Sequence, residues 1–217
     1  MITPPEGYLA QPVSGKGPGV LVLHPWWGLN DTIRDFCDRL SDAGFTAFAP
    51  DLYHGRLAVT IPEAEALSGA LDGERAKAEI LEAAAYLGGA ASRPDRQLAV
   101  IGFSLGAYFA LDLSSADPEH IRAVVLFYGT GPVDPGRSRA AYLGHFAETD
   151  PYESKEYVDG LEQALRAAGR PVTFHHYSGT GHWFFEPDRM DAYRPEAAAL
   201  AWERTVSFLE DTLPSGE

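Results

Sequence analysis

Short apolar runs rich in β-branched residues alternate along this chain with longer stretches whose apolar positions recur at helical spacing. That is the pattern of strands and crossover helices in a parallel sheet. Gly19-Val20-Leu21-Val22-Leu23 is apolar almost throughout, as a strand covered on both faces has to be. Asn30 or Asp31 then caps a helix predicted to run to about residue 43, where Gly44 stands at the C-terminal stop before a strand over 45–49. Residues 61–91 are rich in Ala, Glu and Leu, punctuated by Gly69, Gly73 and Gly88-Gly89, and predict one or two helices. The alternation continues with a strand over 97–101, a helix over 105–115, a strand over 123–128 and a weaker strand within 139–148. A helix over 157–168, a strand over 172–177 and a helix over 195–213, begun by Pro195 in its first turn, complete it. With no linker composition and no internal repeat, residues 1–217 are expected to form a single α/β domain around a mostly parallel sheet.

Composition narrows the partners. With 45% of residues hydrophobic and 12% aromatic, the chain can bury a core without disulfides or structural metals. Its 17 Lys and Arg against 31 Asp and Glu leave a net charge of −14, which repels phosphate backbones and anionic lipid surfaces. Nucleic acid and membrane are therefore not expected as partners, and no apolar run approaches the ~18 residues of a membrane helix. The first residues, Met1-Ile2-Thr3-Pro4-Pro5-Glu6, have neither the basic nor the apolar region of a secretory signal, and Cys37 alone cannot form an intramolecular disulfide. The expectation is a cytoplasmic protein, monomeric or at most a weak homodimer, acting on a small molecule.

The most specific local signal is Gly102-Phe103-Ser104-Leu105-Gly106, directly after one predicted strand and directly before a helix. A serine on such a turn is presented at the carboxyl end of the sheet, with small residues on either side letting the backbone fold tightly around it. The following helix adds positive potential, and the Leu105 amide can face a developing oxyanion. A serine hydroxyl needs a general base and a group to orient that base. Downstream, Asp150 ends a strand-like segment before Pro151, and His182 lies in the small-residue loop Ser178-Gly179-Thr180-Gly181-His182-Trp183. Glu148 and Asp134 are the competing acids. His175 and His176 fall within a strand pattern, where adjacent side chains point to opposite faces, and read as structural. Cys37 sits mid-helix and reads as a small buried residue. Gly15-Lys16-Gly17-Pro18-Gly19 leads into a strand instead of opening a helix, so it reads as a turn and not as a phosphate loop.

Four segments together resemble the dienelactone hydrolase family of α/β-hydrolases. They are Val20-Leu21-Val22-Leu23-His24-Pro25-Trp26-Trp27-Gly28-Leu29-Asn30, Ala49-Pro50-Asp51-Leu52-Tyr53-His54-Gly55, the serine turn, and Ser178-Gly179-Thr180-Gly181-His182-Trp183-Phe184-Phe185. The resemblance implies a twisted sheet flanked by helices on both faces and a hydrolase without metal or cofactor. It also implies a triad of Ser104, Asp150 and His182, and a second oxyanion donor from the Trp26 amide, since Pro25 has no N–H. The family's best-known members carry cysteine at the nucleophile and glutamate at the position of Pro25, where the carboxylate helps switch the thiol on. A serine deprotonated during attack has no use for that switch. Glu186 stands where those enzymes place a substrate-holding arginine, and an acid there is expected to repel an anionic lactone. Trp26, Trp27, Tyr53, Phe103, Tyr128 and Trp183 all flank these segments and are the candidate pocket walls, suited to a neutral ester, although Trp27, Tyr53 and Tyr128 read equally well as core. A serine esterase or lactonase is the leading expectation; a dienelactone lactonase proper and a non-catalytic ligand receptor are the alternatives.

Overall fold

Branched and aromatic side chains at alternate strand positions build two apolar layers, one on each face of a seven-stranded sheet. The computed structural model describes residues 4–214. The strands are β1 (Gly7–Ala10), β2 (Gly19–Leu23), β3 (Thr46–Pro50), β4 (Leu98–Phe103), β5 (Ile121–Phe127), β6 (Ala141–Ala147) and β7 (Val172–Tyr177). They lie in the order β1-β3-β2-β4-β5-β6-β7, all parallel except β1, which runs antiparallel to β3.

The helices are α1 (Asp31–Asp42), α2 (Ile61–Gly69), α3 (Gly73–Ala90), α4 (Leu105–Ala116), α5 (Lys155–Ala167) and α6 (Pro195–Thr212). Ile33, Phe36 and Leu40 of α1 and Ala201 and Leu209 of α6 pack with Val20 and Val22 on one face of the sheet. On the other, Leu21 and Leu23 meet Ile80 and Leu87 of α3, Phe109 and Leu113 of α4 and Leu161 of α5. The helix boundaries follow local chemistry. Asn30 caps α1 by accepting from the Ile33 amide, Thr60 and Glu63 form a reciprocal capping box on α2, and Asp72 and Ser154 cap α3 and α5.

The expected elements are present with ends displaced by a few residues. The stretch 61–91 resolves into two helices because Asp72 opens a second one. Strand β1 was not expected: four residues at an edge, only one of them buried, carry too little pattern to be read. The turn at Gly15 has φ +104, consistent with its reading as a turn. Among the described residues no helix is long and apolar enough to cross a membrane.

The order of the strands positions the site. From β2 the chain crosses to β3 on one side, and later to β4 on the other, so the loops leaving β2 and β4 diverge at their carboxyl ends. Such a switch point opens a crevice in an α/β sheet.

Candidate active site

Ser104 sits between β4 and α4 with φ 50 and ψ −109, a conformation that a residue with a side chain adopts only where its surroundings enforce it. Three glycines leave room for the close backbone packing that enforces it. A Cβ at Gly102 would strike the carbonyl of Gly106, one at Gly106 would strike that of Leu23, and one at Gly129 would come within 2.6 Å of the Ser104 carbonyl. The Ser104 amide donates to Phe127 O (2.9 Å), tying the turn to the neighbouring strand.

His182 lies 3.0 Å from Ser104 Oγ through Nε2 and 2.7 Å from Asp150 Oδ2 through Nδ1. A carboxylate oxygen only accepts, so Nδ1 carries the ring proton and Nε2 is left to accept from the serine hydroxyl. The side chains of His182 and Asp150 are only 4% and 6% exposed, which keeps their interaction largely out of water. Asp150 Oδ1 accepts from the Tyr152 and Glu153 amides at 2.9 and 3.0 Å, so its other oxygen is held towards the imidazole.

The competing acids have other tasks. Glu148 accepts from the Gly179 amide (2.8 Å) and so shapes the histidine loop, and Asp134 caps its own turn through the Gly136 amide (3.0 Å). His175 and His176 stay on β7, His175 stacked against His145. Cys37 is fully buried, and burial pushes its thiol far above the usual range.

The Leu105 and Trp26 amides donate to no acceptor among the described residues and remain available to an oxyanion. The loop carrying Trp26 is held by a residue whose task the sequence does not reveal. His24 is buried, donates through Nδ1 to Pro25 O (2.7 Å) and accepts at Nε2 from the Leu52 amide (3.2 Å). Burial lowers its basicity, so it stays neutral and joins the loops after β2 and β3.

The proposed pocket walls divide. Trp26 and Trp183 are half-buried and stack at 6.0 Å between ring centroids, with Trp27 beneath them at 5.5 and 5.3 Å. Phe103 and Tyr53 do not line the site. Phe103 stacks on Phe127 at 4.5 Å inside the core, because the last residue of a central strand points into one of the helical layers. Tyr53 is completely buried against His24, its hydroxyl pushed up to about 12. Tyr128, also completely buried, backs the His182 ring at 4.9 Å instead of facing a ligand. Tyr152, absent from the expected set, covers the imidazole at 5.0 Å and touches both Trp26 and Trp183. Its place two residues after Asp150 is the one signal that could have found it.

Glu186 also departs from expectation. It is completely buried, its Oε1 accepts from Tyr128 (2.6 Å), and burial raises its carboxyl to about 8. It therefore presents no charge to a ligand at neutral pH, and the repulsion expected of it does not operate. The unfolded carboxyl ionises near 4.5 and the folded one near 8, so between them the folded state binds more protons and wild-type stability falls as pH rises. Glu186→Gln removes that loss. Its melting temperature relative to wild type should rise between those two values, by the equivalent of a few kcal/mol. A difference independent of pH would mean that the carboxyl ionises normally in the fold.

The profile of the dienelactone hydrolase family matches residues 6–213. The chain belongs to that family. It is 31% identical over 217 residues to the protein usf of Aquifex pyrophilus, spanning 96% of this chain and 94% of that one. It is 33% identical over 220 residues to a probable 2-oxo-3-(5-oxofuran-2-ylidene)propanoate lactonase of a Bradyrhizobium species, spanning 93% and 87%. Among solved structures, m3DLH superposes with a TM-score of 0.80 at 30% identity, covering 92% of this chain and 88% of that one. The fold is that of the α/β-hydrolases, and as a dienelactone hydrolase family member the protein is a hydrolase of the ester and lactone class.

Proposed function

We propose that this family member is a serine-dependent hydrolase of small neutral carboxylic esters and lactones, working through an acyl-enzyme intermediate. The observation that carries the reading is His182 lying between Ser104 Oγ at 3.0 Å and Asp150 Oδ2 at 2.7 Å. Ser104 Oγ bonds to the carbonyl carbon while its proton passes to His182 Nε2. The carbon–oxygen bond to the leaving alcohol then breaks, and His182 returns the proton to that oxygen. Water repeats the sequence on the acyl-enzyme, giving its proton to His182 and releasing the acid as Ser104 is reprotonated. Asp150 holds the tautomer and stabilises the imidazolium, and the Leu105 and Trp26 amides receive the oxyanion. The scheme draws on no metal or cofactor.

The half-buried Trp26 and Trp183 and the exposed Tyr152 form an aromatic rim suited to an uncharged acyl or alcohol group. The guanidinium beside this rim, Arg189, lies over Trp27 at 4.0 Å and is already paired with Asp188 at 2.8 Å. Together with the net charge of −14, this favours neutral over anionic substrates. The lactone in the name of the Bradyrhizobium relative is a carboxylate, which makes an anion-accepting lactonase the second reading.

A series of p-nitrophenyl esters of increasing acyl length, assayed beside one anionic lactone, separates the two. The best neutral ester is expected to exceed the lactone in kcat/KM by at least about tenfold. The reverse order would favour the lactonase. Absence of any p-nitrophenol release would point to a ligand receptor on the same scaffold.

A further inference from the structure

We infer that Tyr128 and Glu186 form a positioning pair for His182, holding the imidazole in register with Ser104 from the buried side of the site. The inference rests on the serine-hydrolase reading above. Its basis is a closed circuit of short contacts. The Ser104 amide donates to Phe127 O (2.9 Å), Tyr128 follows in the chain, and its hydroxyl donates to Glu186 Oε1 (2.6 Å). The Glu186 amide donates to Trp183 O (2.9 Å), and His182, one residue earlier, returns to Ser104 Oγ (3.0 Å). The pair therefore joins the end of β5, which holds the nucleophile turn, to the turn that carries the base.

Asp150 fixes the imidazole within its ring plane but not against tilting out of it. Tilting is opposed by the rings packed against it, the buried Tyr128 at 4.9 Å and the exposed Tyr152 at 5.0 Å, inclined to the imidazole by 57° and 53°. Tyr128 and Trp183 both have positive φ, 38 and 66, unusual for aromatic residues. Such conformations persist where contacts over-determine them, and the Tyr128–Glu186 hydrogen bond is one of the contacts that link the two.

The carboxyl matches this task only while it is neutral. Glu186 Oε2 is buried with no hydrogen-bond partner, so ionisation would leave a charged oxygen out of reach of water. The groups around the pair are Asp188 and Arg189 on its own loop, Asp150 after β6, His182, and Arg39 of α1, which lies 6.0 Å from the ring of neighbouring Phe185. Asp188 opposes ionisation and Arg189, tied to Asp188, favours it. Above about 8 the ionised side chain is drawn towards water, pulling on the 183–186 turn and loosening His182.

The experiment measures kcat and KM for an activated ester from about pH 6 to about pH 10 in wild type, Glu186→Gln and Tyr128→Phe. Wild-type kcat should fall on the alkaline side with KM nearly constant, and Glu186→Gln should lack that fall. Tyr128→Phe should lower kcat by roughly tenfold, the scale of a small misplacement of a reacting group. It should also move the alkaline limb to higher pH, because the carboxylate loses the hydroxyl that stabilises it. Superimposable pH profiles in wild type and Glu186→Gln, even with altered melting temperatures, would overturn the proposal. An unmoved limb and near-wild-type kcat in Tyr128→Phe would do the same. Fluorophosphonate labelling of Ser104 in the same samples separates this failure from that of the parent reading. A labelled serine with unmoved profiles rejects the pair alone, whereas an unlabelled serine in wild type rejects both.

Discussion

A fluorophosphonate probe is expected to react with this protein once, at Ser104, and Ser104→Ala should abolish both the label and ester hydrolysis, with a loss of kcat of roughly 10⁶. Most serine hydroxyls are inert at neutral pH because nothing removes their proton during attack. Ser104 differs in having His182 Nε2 at 3.0 Å and a backbone in a strained turn, whose close packing Gly102, Gly106 and Gly129 allow. The turn also opens α4, so positive potential and the free Leu105 amide meet the phosphonyl oxygen as they would a carbonyl oxygen. Alanine fits the same backbone, so lost labelling in a folded variant reports the hydroxyl and not the fold. Mass spectrometry placing the label elsewhere, or finding none, would remove Ser104 as the nucleophile.

Asp150→Asn is expected to lower the acylation rate by roughly 10³ to 10⁴ while leaving melting temperature and circular dichroism close to wild type. The size follows from hydrogen-bond polarity. Asp150 Oδ1 accepts from two amides, at Tyr152 and Glu153, so an asparagine keeps its oxygen there and turns its NH₂ towards His182. An NH₂ group donates, so Nδ1 must accept and the ring proton moves to Nε2, where it faces Ser104 and cannot accept the hydroxyl proton. Glu148→Gln keeps an oxygen for the Gly179 amide and should retain most activity. If Asp150→Asn kept more than about a tenth of its activity while Glu148→Gln lost most of it, Glu148 would be the acid.

The strands β2, β4 and β5 were legible because a parallel strand covered on both faces has to be apolar at every position, and a continuous run of that kind is the strongest signal a short segment can carry. Helix starts were legible where a side chain caps its own helix, as Asn30 does. Ser104 and His182 stood out because tight turns demand glycine at fixed offsets, which is information local to the chain. Edge strand β1 escaped because its stability comes from pairing with β3 and leaves almost no trace in four residues.

The tertiary structure alone decided which aromatics meet a ligand. Phe103 and Tyr53 adjoin site motifs in sequence, yet strand alternation and the loop after β3 turn them into the core, while Tyr152 comes forward because an Asx turn at Asp150 aims it over His182. The same holds for charge. From sequence Glu186 is an acid four residues beyond the base, and only the burial that deprives it of water makes it neutral at pH 7, against the Tyr128 hydroxyl, which favours the carboxylate. Turn geometry and strand burial are dictated by neighbours along the chain and can be read from it. Side-chain exposure and ionisation depend on neighbours in space, which exist only once the sheet has brought together loops separated by 58 residues, as it does for Tyr128 and Glu186.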